Sequence, residues 1–260
     1  MDMQLAGKKV LITGGSRGIG AGLADAFAQE GCALMLVSRS EASLEALRDD
    51  LRTRHGVAID TLALDLTSPQ APKTLVQAFG DADILINNAG AIPGGDLWRV
   101  DGKRWREAWE LKVMGYIDVT REFYACMRER GHGVILNNIG SGGETFDFNY
   151  IAGTAGNAAL MAFTRALGGR SLHHGIRVLG VNPGPVATQR IEDLMRTRAQ
   201  EQFGDPEEYA RLFEKLPLGR PAHVREVADL FVFLASPRSS YTSGTIFTVD
   251  GGMASNQSIS

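Results

Sequence analysis

Cysteine is scarce in this chain: Cys32 and Cys126 are the only two among 260 residues. Their positions give no metal-ligand spacing and no disulfide framework, so no metal is expected and both thiols should be buried and reduced. No uninterrupted apolar run approaches membrane-spanning length. The N-terminus, Met1-Asp2-Met3-Gln4-Leu5, lacks the basic-then-apolar order of a secretory signal, so a cytoplasmic protein is expected. A large charge imbalance is also missing. A net charge of −3 and a pI near 6.0 argue against nucleic acid or an anionic membrane as partner. The one dense basic run, Arg190 to Arg198, is interleaved with Glu192 and Asp193 and reads as a solvated helix face.

What is present is ordinary globular material: 44% hydrophobic and 22% charged residues, enough to bury a sizeable core without staples. Short β-branched and aliphatic runs alternate with amphipathic helical stretches. The runs are Lys9–Thr13, Ala33–Ser38, Ile59–Leu64, Ile84–Asn87, Gly133–Asn138, Arg177–Asn182 and Thr245–Val249. Helical patterns fall between them, as at Ile19–Gln29 and Glu41–Arg54. This alternation predicts an α/β fold: one doubly wound Rossmann domain over residues 1–260, a mainly parallel seven-stranded sheet with helices on both faces. No repeat or composition break marks a second domain. Residues 188–218 depart from the rhythm, being long, helical and charged after a strand's carboxyl end. Ligands of open α/β sheets bind outside such ends, so the segment is either a substrate flap or a plain surface helical hairpin.

Val10-Leu11-Ile12-Thr13-Gly14-Gly15-Ser16-Arg17-Gly18-Ile19-Gly20 leaves the first strand and opens a helix. Glycines there permit a tight turn, close approach of backbone to a pyrophosphate, and tight helix–strand packing, with the helix N-terminus facing the phosphates. The second strand ends Leu36-Val37-Ser38-Arg39 with no carboxylate to bind a ribose 2′-hydroxyl. Ser38, Arg39 and Arg17 instead offer hydrogen bonds and positive charge suited to a 2′-phosphate, which favours NADP over NAD.

Several motifs in order give a more specific signal. Thr13-Gly14-x-x-x-Gly18-x-Gly20, Asn87-Asn88-Ala89-Gly90, Asn182-Pro183-Gly184-Pro185-Val186-Ala187-Thr188 and Ser243-Gly244-Thr245 through Asp250-Gly251-Gly252 together resemble the short-chain dehydrogenase/reductase family over essentially the whole chain. The resemblance implies a nicotinamide-dependent oxidoreductase interconverting a carbonyl and an alcohol. It implies that Gly14, Ser16, Arg17, Ile19 and Gly20 line the pyrophosphate and adenosine ribose, and that Asp65 and Leu66 flank the adenine. Asn88, Ala89 and Gly90 would meet the inner ribose, and Pro183, Gly184, Val186 and Thr188 the nicotinamide carboxamide. It also implies a homotetramer or homodimer, for which the alanine-rich Ala155–Ala166 would suit close helix packing.

The chain departs from the family where chemistry is expected. The family carries a Tyr-x-x-x-Lys pair, and the register set by Ala158-Ala159-Leu160 puts Gly153 and Asn157 at those positions. Ser141, just past the fifth strand, sits where the family serine belongs. Upstream, Lys112 occupies the position of the family asparagine, so lysine and asparagine have changed places. A free phenol titrates near 10 and needs a cation to be useful near neutrality. In one reading Lys112 supplies that charge, Ser141 binds the carbonyl, and Tyr150 (or a water in the space left by Gly153) handles the proton. In the other the fold has lost hydride chemistry, as an NADP-binding sensor or scaffold or as a lyase or isomerase using Glu144, Asp147 and Lys112. Phe146, Phe148 and Tyr150, with Leu194, Met195, Phe203 and Phe213 of the flap, suggest an apolar or aromatic small-molecule partner or else core packing.

Overall fold

A computed structural model describes residues 1–256 of the chain. Its strands are β1 (Lys9–Thr13), β2 (Ala33–Ser38), β3 (Ile59–Ala63), β4 (Ile84–Asn87), β5 (Gly133–Asn138), β6 (Ile176–Pro183) and β7 (Ile246–Val249). They form one sheet in the order β3-β2-β1-β4-β5-β6-β7, and every pairing is parallel. These strands fall within about one residue of the apolar runs in the sequence. The reason is visible in burial: β6 is buried along its whole length, as a parallel strand covered on both faces must be.

The helices are α1 (Gly18–Gln29), α2 (Glu41–His55), α3 (Ala71–Phe79), α4 (Gly102–Trp109), α5 (Gly115–Arg130), α6 (Gly142–Thr145), α7 (Ile151–Ser171), α8 (Gln189–Phe203), α9 (Ala210–Phe213) and α10 (Val224–Ala235). Leu23 and Phe27 of α1 and Val227 and Phe231 of α10 pack against one face of the sheet with Ile12, Leu36 and Leu179. Leu75 of α3 and Val119 and Phe123 of α5 cover the other face with Leu11, Leu85 and Val178. Chain order reverses between β1 and β4. The crevice at such a switch point, outside the carboxyl ends of the strands, is where an open α/β sheet receives a ligand.

Two details depart from expectation. Cys32 is buried, but Cys126 is only partly so, because it lies toward the solvent side of α5. Between α4 and α5 the chain forms a π-helical turn, Glu110–Met114, which no sequence pattern announced. No described helix is long and apolar enough to cross a membrane.

One buried charge has a structural assignment. Arg177 of β6 is 7% exposed and donates to the carbonyls of Leu234, Ala235, Ser236 and Ser239, closing the C-terminus of α10. Burial pushes its guanidinium down to about 10. Arg177→Met preserves much of the side-chain volume but strips four carbonyls of their donor. It should cost about 2–4 kcal/mol, seen as a lower urea midpoint at unchanged slope.

Candidate active site

The loop after β1 is shaped for a dinucleotide. Gly14 has φ +64°, and a Cβ there would lie 2.9 Å from Ala89 Cα; a Cβ on Gly20 would lie 2.1 Å from the Gly14 carbonyl oxygen. Neither position admits a side chain. Arg17 precedes α1 with extended backbone and makes no capping hydrogen bond, leaving the amides of the first turn free for phosphate oxygens. Ser16 and Ile19 are partly buried beside Gly18, and Thr188, which precedes α8, stands over Gly18, its Cγ2 3.6 Å from where a Cβ would be. These residues fit a nicotinamide dinucleotide: the cradle admits no Cβ at Gly14 or Gly20, and no side chain caps the first turn of α1.

Around this cradle the other sequence-derived residues sit at the same strand ends. Ser38 closes β2, with Arg39 exposed beyond it. Asp65 is exposed; its carboxylate is held below the usual range by the Thr67 amide and hydroxyl, with a smaller pull from Arg39. Leu66 follows it, partly buried. Asn88 donates to the carbonyls of Thr13 and Gly14, and the Thr13 hydroxyl accepts from the amides of Asn88 and Ala89. These bonds span the switch point and fix Gly90 just beyond it. Pro183 ends β6, Gly184 presses on Asp250, and Val186 is buried below the flap.

The chemistry-bearing residues converge on the end of β5. The Ser141 amide donates to the Pro183 carbonyl at 2.9 Å, which sets the serine between β5 and β6. Its hydroxyl has no partner among the described residues. The flanking glycines let two side chains close in: a Cβ on Gly140 would lie 3.2 Å from Asn157 Nδ2, and one on Gly142 would lie 3.2 Å from the Tyr150 ring. Asn157 is 2% exposed, and its Oδ1 accepts no hydrogen bond. Lys112 comes in from the π-helical turn: its methylenes pack on Gly90 and its Nζ donates to the Ile139 carbonyl. Some of its surface stays open, yet its surroundings are dense, and burial plus the nearby Arg190 guanidinium push the ammonium down to about 7.

Gly153 explains where a phenol goes. A Cβ on Gly153 would lie 2.0 Å from Tyr150 Cζ, so the Tyr150 ring fills the volume that a side chain at 153 would need. Phe146, at φ +48°, turns the loop back on itself, a left-handed conformation that costs a bulky residue about 1–2 kcal/mol. The Asn149 carbonyl then accepts from the Gly95 amide at 2.7 Å, delivering Tyr150 to the head of α7. Burial drives the phenol up, and Arg190 opposes this.

Arg190 is the residue that sequence reasoning missed. It belongs to the basic run read as a solvated face, and it is indeed exposed in part. Its guanidinium nevertheless turns inward, donating to the Gly90 carbonyl at 3.3 Å and the Ile92 carbonyl at 2.9 Å beside Tyr150. The interleaved acids did not predict this because Glu192 pairs with Arg196 and Asp193 with Gln189, leaving Arg190 free to turn the other way. Glu144 and Asp147 are occupied otherwise. Glu144 accepts from Asn182 and Thr248, and Asp147 closes a turn onto the Asn149 amide.

The aromatic set splits. Phe146 and Phe148 are exposed, as are Leu97 and Trp98 of the loop after β4. Leu194 is exposed and Met195 buried, while Phe203 stacks under Arg211 and Phe213 against Tyr209, holding the 188–218 segment together.

A glycine cradle at the switch point and a serine, a phenol and two cations at the ends of β4 to β6 define a nucleotide-binding α/β oxidoreductase. A family model described as Enoyl-(Acyl carrier protein) reductase matches residues 14–254. The uncharacterized oxidoreductase YvrD of Bacillus subtilis is 31% identical, with 97% of this chain and 98% of that protein covered. The L-xylulose reductase of Bos taurus is 30% identical over 97% and 98%. The crystal structure of L-sorbose reductase from Gluconobacter frateurii, complexed with NADPH and L-sorbose, superposes with a TM-score of 0.90 at 32% identity, covering all of both chains. The chain belongs to the short-chain dehydrogenase/reductase family.

Two consequences can be measured. Gly153→Ala should be costly while Tyr150 is present and nearly neutral in a Tyr150→Ala background. A double-mutant cycle in urea should therefore return a coupling of about 1–3 kcal/mol; additive single effects would place the ring elsewhere. Lys112 has a folded pKa near 7 against 10.5 when free. Between those values the unfolded chain binds the extra proton, so stability contributed by this site rises with pH across that window. The wild type should gain stability relative to Lys112→Met from about pH 7 to pH 10, as read by denaturation midpoints.

Proposed function

We propose that this protein is an NADP-dependent oxidoreductase interconverting a carbonyl and an alcohol, in which Tyr150 handles the proton from a position three residues before the usual one. The observation that carries the reading is the Tyr150 ring in the space above Gly153, beside Ser141. Loss of the tyrosine at 153 is thereby answered by another phenol, and a site that had abandoned proton transfer would have no need of it.

When bound, the nicotinamide supplies or accepts the hydride. Gly14, Ser16, Arg17, Gly18, Ile19 and Gly20 would hold the pyrophosphate and adenosine ribose, with Asp65 and Leu66 beside the adenine. Ser38, Arg39 and Arg17 would favour a 2′-phosphate. Asn88, Ala89 and Gly90 would face the inner ribose, and Pro183, Gly184, Val186 and Thr188 the carboxamide. Ser141 donates its hydroxyl to the carbonyl oxygen and orients it. Tyr150 gives its proton to that oxygen as it becomes an alcohol and recovers one from solvent. Lys112, near its midpoint at neutrality, adds positive charge behind Ser141, and Asn157 orders the floor between them. The exposed Phe146, Phe148, Leu97 and Trp98 suit a substrate with an apolar or aromatic body. Residues 188–218 act as its flap. Assembly as a homodimer or homotetramer is supported by the solvent-facing alanines Ala155, Ala162 and Ala166 of α7.

The test is NADPH oxidation with a panel of aromatic and aliphatic ketones, and NADP reduction with the matching alcohols. Tyr150→Phe should lower kcat/KM about 100- to 1,000-fold and Ser141→Ala by a similar order, with folding unchanged. NADPH should exceed NADH at least about 10-fold, and Arg39→Ala should narrow that gap. Absence of turnover with both cofactors across the panel would overturn the assignment.

A further inference from the structure

Two cations of this site have no anionic partner. Among the described residues neither Lys112 nor Arg190 forms an ion pair, although fifteen other pairs do occur. The two repel one another, yet Arg190 is held in place by two backbone carbonyls, those of Gly90 and Ile92, in a fork that a guanidinium fills and an ammonium does not. Those carbonyls lie in the same loop whose Gly95 amide donates to Asn149, next to Tyr150, and Gly95 and Tyr150 form a β-bridge. The loop after β4 therefore holds the Tyr150 backbone and the Arg190 guanidinium at once. Arg190 stands in the first turn of α8, where helix geometry itself disfavours a cation. Its placement there is a local cost that the contacts on its far end must offset.

We infer that Arg190 is a positioning residue for Tyr150: from the flap it supplies the fixed positive charge beside the phenol that Asn157, lacking a charge, does not provide on α7. This inference rests on Tyr150 as the proton-handling group. Tyr150 packs against the cluster that contains Ile92, whose carbonyl accepts from Arg190, so the guanidinium is held near the phenol, and its charge favours the phenolate at every pH at which a carbonyl could be reduced or an alcohol oxidised. The other groups around Tyr150 do not substitute for it. Lys112 donates to the Ile139 carbonyl from the π-helical turn, and burial lowers the pKa of its ammonium. Tyr116 of α5 is buried, donating to the Asn138 carbonyl. Asp147, on the preceding loop, and Glu144 of α6 are carboxylates, which would act in the opposite sense.

The experiment reads Tyr150 itself. Tyrosinate absorbance is followed against pH for the wild type minus Tyr150→Phe, with circular dichroism marking where the fold is lost. The same subtraction is made in Arg190→Gln and Arg190→Lys backgrounds. Tyr150 should titrate before unfolding in the wild type, about 1 pH unit or more higher in Arg190→Gln, and between the two in Arg190→Lys, which keeps the charge but not the fork. A purely structural clamp predicts otherwise, because lysine loses the fork as glutamine does. Coincident curves for wild type and Arg190→Gln, an Arg190→Lys curve that follows Arg190→Gln, or no Tyr150 titration in the folded wild type would each overturn the inference. The readout needs no substrate. A wild type that shows the Arg190-dependent titration but turns over no carbonyl fails the reductase reading alone, and active enzyme with coincident curves fails this inference alone.

Discussion

Amide side chains tie the carboxyl ends of the central strands into one surface. Asn87 donates to Thr120 of α5 and to Asn137 of β5, Asn137 donates to Thr164 of α7, and Asn138 donates to Asn88, which itself binds the end of β1. All but Asn88 are buried, and each bond joins different elements. A buried amide that loses its partner costs as much as its desolvation, so the ladder is held to one register. Everything functional hangs from it. The glycine cradle is closed by Asn88 on one side, and Ile139 and Ser141 follow directly from Asn138 on the other. Helices α5 and α7, which flank the site, are fastened to the sheet by Thr120 and Thr164.

On that fixed frame the site is built from parts reaching it by unusual routes. A phenol enters from the residue preceding α7 instead of from its first turn. One ammonium enters from a π-helical turn, and a guanidinium enters from the flap. The segment that carries none of them, Ile139 to Gly143, is where they meet, because glycines at 140, 142 and 143 leave room on both sides of Ser141. A serine hydroxyl without a protein partner, a buried amide oxygen without a donor and two unpaired cations make a polar pocket that is unsatisfied as it stands. Such a pocket stores the interactions that a bound carbonyl and its developing negative charge would complete.

Much of this architecture was legible in the sequence. Apolar runs gave the strands because parallel strands are buried on both faces, and the glycine loop was readable because its spacing reflects contacts that admit no Cβ. Lys112 and Asn157 could be singled out from register alone, and both side chains do point inward. Arg190 could not be read, since it shares a helix with four other charged residues within eight positions, and only the route of its own side chain separates it from them. The path of Tyr150 depended on a left-handed Phe146, a conformation that a sequence gives no reason to expect. Cys126 was misjudged because an apolar neighbourhood in sequence says little about which side of a helix faces water.

The π-helical turn at Glu110–Met114 accommodates one residue more than an α-helical turn, which is why such turns behave as insertions within otherwise regular helices. Each residue advances an α-helix by about 100°, so the extra one resets the phase between α4 and α5. Lys112 sits in the middle of it. Trp109 on the α4 side donates to the Ala152 carbonyl, and Tyr116 on the α5 side donates to the Asn138 carbonyl. The π-helical turn therefore lies between two fixed points, one on each flanking helix. The lysine thus owes its orientation to length as much as to identity: removing one residue from Glu110–Met114 would rotate Lys112 by about 100° relative to one of the two anchors.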